Sequence, residues 1–407
     1  MAKTILICSN VYPPNFVGGA ELIAHYQAKV LKAKGRNVIV FAGENGTDGE
    51  RYSMRQDEYD GLPVFRIFLQ LRDYAAEFVN FSHPKVDSHF NCLLDAFSPD
   101  VVHMHNLIGL SLGVIHAAKR RGIKTVMTLH DHWGVCFKNT LLKREREICT
   151  DYTRCAECMP TIEDGMRRNL PIQMRRDYMK LQLADVDAFI APSAYLGETY
   201  VRAGVPVEKM NQIWYGIDVE RFSRVVKTKS PERVRFTFIG FFGSHKGIDV
   251  LVDALALLER PERVLVNLVG GGGLVDQIRN RLETLRLTRS AKLWGMIDSS
   301  RIEEVFRETD VLILPSVWPE NQPVTITEAM ATRTAVIASA IGGIPELVID
   351  GHNGYLFKPG SAIELAQKMN EFIDYPERII SFGNNGFERI KENSFEARLE
   401  QICSLYE

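Results

Sequence analysis

No window of the chain reaches the roughly 18 continuous apolar residues that a membrane span needs. An excess of one charge is also missing: 49 Lys and Arg stand against 51 Asp and Glu, a formal net charge of −2, so no global basic field argues for nucleic acid. Short-period repeats and low-complexity tracts are absent. The apolar run at 5–8 is short and is closed by Ser9, Asn10 and two prolines, so it reads as a buried strand and not as an export signal. With no such signal, the expected compartment is the cytoplasm, where the seven cysteines stay reduced and need a reading other than disulfides.

What is present is the composition of a soluble globular protein, 45% hydrophobic and 25% charged, long enough at 407 residues for two or three domains. Short apolar runs at 5–8, 38–41, 64–68, 101–104, 125–129 and 188–191 alternate with amphipathic stretches at 20–34, 86–97 and 110–121. The pattern restarts after 230, with strands expected at 236–240, 264–269, 293–294, 311–314, 335–338 and 354–357 and helices between them. Apolar strands separated by helices predict βαβ units and mostly parallel sheets covered on both faces. The expected organisation is an α/β domain over 1–213, a linker at 214–230 and a second doubly wound domain over 231–386. The stretch 387–407 is expected as a C-terminal helix.

Ligands of such sheets sit beyond the carboxyl ends of strands, and three loops there carry the informative residues. In Asn10–Glu21, NVYPPNFVGGAE, Gly18 and Gly19 open a helix and let a ligand approach the backbone. Taken alone, the reading as a tight turn with a Gly pair wins, since the G-x-G-x-x-G spacing is absent. In IGFFGSHKG, 239–247, three glycines loosen a loop that presents Lys246, a point charge suited to a diphosphate, although the Walker A order is not met. The third loop, PSVWPENQPVTITEAMA at 315–331, is the strongest. Pro323 suits a first helical turn, and the N–H groups of Val324 and Thr325 can hold phosphate at a helix N-terminus. Glu320 can accept bonds from sugar hydroxyls, and Glu328 can reach a ribose diol. Among the histidines after strands, His130 is preferred as a site residue over His105, and His103 reads as packing.

Taken in order, PPNFVGGAE, TLHD at 128–131, APS at 191–193, GSHKG, the Glu320–Glu328 element, IGGIPELV at 341–348 and GHNGYLF at 351–357 resemble the retaining glycosyltransferases of the GT-B fold, group 4. The resemblance implies two Rossmann-like domains facing a central cleft, with the helix at 387–407 able to cross back to the N-terminal domain. It also implies transfer of a sugar, with retention, from a UDP- or GDP-sugar to a glycan, lipid-linked or small-molecule acceptor in polysaccharide or glycoconjugate assembly. By that resemblance Glu328 holds the ribose, Glu320 the sugar hydroxyls and Lys246 the diphosphate. Gly19 packs on the diphosphate from the other domain, His130 meets the sugar near its O6, and Gly295 and Met296 frame the base. Lys246 with helix N–H groups would stabilise the leaving group, so no catalytic cofactor is expected. Phe241 stands where the family often has Arg, Tyr215 where it has Asn, and Asn321-Gln322 where it has Gly-Phe. Two rival readings share the architecture: a nucleotide-sugar epimerase, and a non-catalytic sensor or scaffold, to which Phe241 gives weight.

Cys136, Cys149, Cys155 and Cys158 have the spacing C-x12-C-x5-C-x2-C, in a polar segment without core-forming runs. Four thiolates suit a tetrahedral structural zinc, and four buried free thiols are the equally weighted alternative. Residues 119–180 hold 14 Lys and Arg against 8 Asp and Glu. A solvated helix face explains this, and a peripheral contact with the inner face of a membrane is the competing reading.

Overall fold

The computed structural model describes residues 3–15, 18–46, 49–143, 146–228 and 232–407. The chain forms two compact units: Met1–Lys143 with Cys149–Gly216 and Phe395–Glu407, and Arg144–Ile148 with Ile217–Ser394.

The first unit is built on β1 (Thr4–Ser9), β2 (Asn37–Asn45), β3 (Met54–Tyr59), β4 (Leu62–Leu69), β5 (Val101–Met104) and β6 (Lys124–Thr128). A small hairpin, β7 (Thr161–Glu163) and β8 (Asn169–Pro171), lies apart from the sheet, which ends with β9 (Ala188–Ala191) and β10 (Met210–Gln212). The sheet order is β10-β9-β6-β5-β1-β2-β4-β3, parallel throughout except for the antiparallel β3–β4 edge. The central strands carry apolar residues on both faces, as Val101 and Val102 do at 0% exposure, because helices cover both sides. Helix Gly19–Ala33 packs beside the C-terminal helix Phe395–Ser404 within this unit.

The second unit holds β11 (Val234–Ile239), β12 (Val264–Val269), β13 (Ala291–Gly295), β14 (Val311–Leu314), β15 (Ala335–Ser339) and β16 (Gly354–Phe357), all parallel, in the order β13-β12-β11-β14-β15-β16. Phe236, Phe238 and Phe242 are fully buried in its core. Each such side chain contributes roughly 1.5–3 kcal/mol. Among the described residues, no helix is long and apolar enough to cross a membrane.

Two boundaries differ from those expected at 214–230 and at 387. Residues 217–228 are part of the second unit, with a helix at Val219–Ser223 and Ile217 N–H donating to Asn393 O at 2.9 Å. Lys227 is half-buried there and donates to Phe306 O at 2.9 Å, Thr309 O at 3.0 Å and Thr334 Oγ1. A stretch read as polar and charged is thus anchored by its charges, while 229–231 lie outside the described residues. The helix Glu377–Ile390 runs through 387, and the chain rejoins the first unit only at Phe395.

Candidate active site

In the second unit, the loop after β11 turns at Gly243, makes a single 3-10 turn over Ser244–Lys246 and enters helix Ile248–Ala256 through Gly247. Gly247 has φ +67°, and a Cβ there would fall 1.9 Å from Pro315 O. Only glycine permits that approach, and it presses this loop onto the one after β14.

The contact delivers Lys246 to Glu320. Lys246 Nζ donates to Glu320 Oε1 at 2.7 Å, Ser316 Oγ to the same oxygen at 2.6 Å and Trp318 Nε1 at 2.8 Å. Lys246 also lies 4.9 Å from the centre of the Trp318 ring. Burial pushes the Glu320 carboxyl up, but Lys246, Ser316 and Trp318 together hold it below the usual glutamate range. Glu320 is therefore an anion with one oxygen saturated, and among the described residues Oε2 has no hydrogen bond. Gly342, at φ +61°, backs the same residue: a Cβ would come within 2.1 Å of Glu320 O, to which Gly343 N–H donates at 2.8 Å.

Pro323 precedes helix Val324–Ala331 as its cap and not as its first residue. The N–H groups of Val324 and Thr325 are those a helix start leaves without an intrahelical partner. Glu328 lies on the same helix, and its carboxyl is pushed up to about 8 by burial and by Glu303, against the opposing pull of Arg221. Arg221 is itself bonded to Glu303, through Nη2 at 2.7 Å and through Nε, so its charge is largely committed. Phe241 is 55% exposed and stacks on His245, with ring centres 6.1 Å apart. Gly295, at φ +76°, closes β13 and is followed by Met296, which is 84% exposed.

In the first unit, Arg66 is buried and donates to Tyr12 O at 2.9 Å and Pro13 O at 2.6 Å, fixing the start of the Asn10–Glu21 loop. Phe16 and Val17 lie outside the described residues. The Gly18 N–H is not free for an anion, because Glu21 Oε2 accepts from it at 2.9 Å. Gly19 opens the helix as expected.

The strand ends of β5 and β6 bring His103, His105 and His130 together as a stack: ring centres are 4.8 Å apart for His103–His105, 5.1 Å for His105–His130 and 5.2 Å for His130–Tyr215. Burial lowers all three imidazoles, His103 and His130 to about 3. They are neutral at pH 7. Asp131, beside His130, is pushed up to about 6 by burial despite N–H donation from Trp133 at 2.8 Å. Cys155 lies within electrostatic range of Cys136, Cys149 and Cys158, and all four are free thiols.

Ser316, Trp318, Arg221, Glu303, Tyr215 and Asp131 take part in these arrangements without having been candidates. Trp318 and Ser316 stood inside the strongest motif, and Asp131 directly follows His130. Arg221 and Glu303 gave no local signal, since they meet only through the fold.

Two doubly wound α/β units with charged groups on the loops after their strands define a two-domain class of α/β protein. Residues 219–389 match the family model for glycosyl transferases group 1, and residues 17–221, half of the chain, match that for glycosyltransferase family 4. The chain belongs to glycosyltransferase family 4, and its architecture is GT-B. The amylovoran biosynthesis glycosyltransferase AmsK of Erwinia amylovora is 27% identical over 50% of this chain and 51% of its own. The chain spans about half the length of the curated relatives it matches first. Sucrose-phosphate synthase from Thermosynechococcus elongatus superposes with TM-score 0.75 at 20% identity, covering 99% of this chain and 98% of the other. Anabaena HepE in complex with UDP gives 0.70 at 20% identity, covering 99% of both chains.

Proposed function

We propose that the protein transfers a sugar, with retained anomeric configuration, from a UDP- or GDP-sugar to a glycan, lipid-linked or small-molecule acceptor in polysaccharide or glycoconjugate assembly. The observation that carries this reading is the convergence of Lys246, Ser316 and Trp318 on one oxygen of Glu320, beside the start of helix Val324–Ala331. Glu320 is held as an anion able to accept from sugar hydroxyls. Lys246 and the N–H groups of Val324 and Thr325 offer positive charge to a departing diphosphate. Breaking the bond between the anomeric carbon and the leaving oxygen puts the electron pair on the diphosphate. The acceptor oxygen bonds to that carbon, and its proton passes to a leaving-group oxygen. Glu328 binds the ribose, and Gly295 and Met296 border the base. HepE was solved with UDP, and the name of AmsK refers to polysaccharide biosynthesis. Both agree with this reading.

The test is a thermal-shift and calorimetric screen of UDP- and GDP-sugars followed by product analysis. A ligand selective for the native state raises apparent stability. Stabilisation by one such donor and transfer to an acceptor with retention support the reading. Absence of binding across the panel removes it. The exposed Phe241 favours one alternative, a sensor, which tight binding without turnover over a broad acceptor panel would identify.

Two further expectations belong to the same reading. The protein is proposed to act in the cytoplasm at an anionic membrane face. Supporting this, Met166, Met174 and Leu181 are exposed among Arg167, Arg168 and Lys180; co-sedimentation with anionic and neutral vesicles tests it. The proximity of Cys136, Cys149, Cys155 and Cys158 supports one structural zinc. Among the described residues no group of three or more His, Cys, Asp or Glu is spaced to hold an ion as it stands, so zinc would have to draw the thiols together. Metal analysis should give about one atom per chain, lost in Cys155→Ser/Cys158→Ser. A folded, metal-free protein would end the idea.

A further inference from the structure

His130 closes the ring stack, and both of its ring nitrogens are engaged within the first unit. Nδ1 lies 2.7 Å from Tyr215 Oη, and Nε2 lies 2.9 Å from His105 Nδ1. Tyr215 Oη also lies 2.9 Å from Leu129 O. A carbonyl can only accept, so the single phenolic proton goes to Leu129 O, and the Tyr215 oxygen is left to accept from His130 Nδ1–H. The proton on Nδ1 makes His130 Nε2 the acceptor from His105 Nδ1–H.

The far end of the stack agrees with this order. His105 Nε2 is buried and has no hydrogen bond among the described residues. In the order just given it is a bare lone pair. In the reverse order it would be a buried N–H without an acceptor, which folded proteins tolerate less well. His103 is held apart from the choice, accepting at Nδ1 from Tyr406 Oη at 2.7 Å and from Gln27 at 2.8 Å, while Nε2 donates to Thr128 Oγ1 at 2.8 Å.

We propose that Tyr215 is a positioning residue that fixes His130 as the neutral Nδ1–H tautomer, with the Nε2 lone pair directed at His105. Both ring nitrogens of His130 are then committed within the first unit, and the ring takes no part in proton transfer. The effect on transfer expected below rests on the donor reading above, whereas the tautomer does not.

Long-range 15N–1H correlation of histidine-labelled protein measures the tautomer directly, with His130→Ala assigning the signals. Wild type should show His130 protonated at Nδ1 and not at Nε2 between pH 6 and 8, a window far above its lowered ionisation. Tyr215→Phe removes the acceptor and should convert His130 to the Nε2–H form or to a mixture. Transfer kcat should fall about tenfold with donor KM little changed, the pattern of lost orientation. Tyr215→His, which keeps an acceptor, should restore the Nδ1–H signal in part. A wild-type His130 protonated at Nε2, or a Tyr215→Phe variant with an unchanged tautomer, overturns the proposal. A protein that binds no nucleotide-sugar but shows the expected tautomers would instead sink the donor reading alone.

Discussion

Lys246 Nζ lies 2.7 Å from Glu320 Oε1 and joins two loops that are 74 residues apart in the chain. Both loops follow strands of one parallel sheet, so the pair couples the end of β11 to the end of β14. A buried carboxylate is costly unless its charge and lone pairs are met. Here a cation and two neutral donors meet one oxygen, Oε1.

Removing the cation should expose that cost. Lys246→Met leaves Glu320 buried without its partner and should destabilise the fold by about 3 kcal/mol at pH 7.5. In wild type the lowered carboxyl adds stability above its unfolded value, which is lost as pH falls through the folded one. In the variant burial dominates, the carboxyl rises, and acid relieves the loss. Urea unfolding at pH 5 and 7.5 checks this; an equal loss at both values would contradict it.

Glu328 should show a trade between binding and stability. Its folded value, about 8, lies above the unfolded one, so the native state holds an extra proton and its stability falls as pH rises between roughly 4.5 and 8. Glu328→Gln should therefore gain of the order of 1 kcal/mol at pH 7.5, the figure being reduced because the side chain is partly exposed, and nothing at pH 4. The same variant should bind free nucleotide roughly tenfold more weakly, as calorimetry would show.

Phe241→Arg places a guanidinium on the loop that carries Lys246. Because the position is 55% exposed, a gain of about 1 kcal/mol in nucleotide-sugar affinity is expected, shrinking with added salt. Affinity unchanged at low ionic strength would show that the diphosphate does not lie over this loop.

The glycines separate by the same physical test. Gly247→Ala places a Cβ against Pro315 O at a positive φ and should cost more than about 2 kcal/mol while weakening donor binding. Gly18→Ala meets nothing within 4 Å in an extended backbone and should cost no more than about 1 kcal/mol, the difference between glycine and alanine at an N-cap. Paired denaturation curves distinguish the two.

The apolar runs at 101–104, 188–191, 264–269, 311–314 and 354–357 coincide with β5, β9, β12, β14 and β16, because a strand buried on both faces writes its position as a continuous run. The edge strand Met54–Tyr59, MRQDEY, was invisible: it is held by backbone pairing to β4 and carries polar residues on an exposed face. Helices Ile172–Ala184 and Ala194–Arg202 were likewise unread, the first because its buried residues include Arg175, which donates to Trp133 O. Placing Lys246, Glu320 and Glu328 needed only the strand–loop–helix order around each.

The amino-acid sequence by itself determined the alternation of strand and helix, the family and the loops on which charged residues stand, because each is written in neighbouring positions. Only tertiary structure decided that Lys246 and Glu320 share a bond, that Arg221 is spent on Glu303, that Tyr215 lies against His130 and that four cysteines come near one another. Those pairings depend on which strands lie side by side, and strand order is set by packing over the whole sheet. No local period records it.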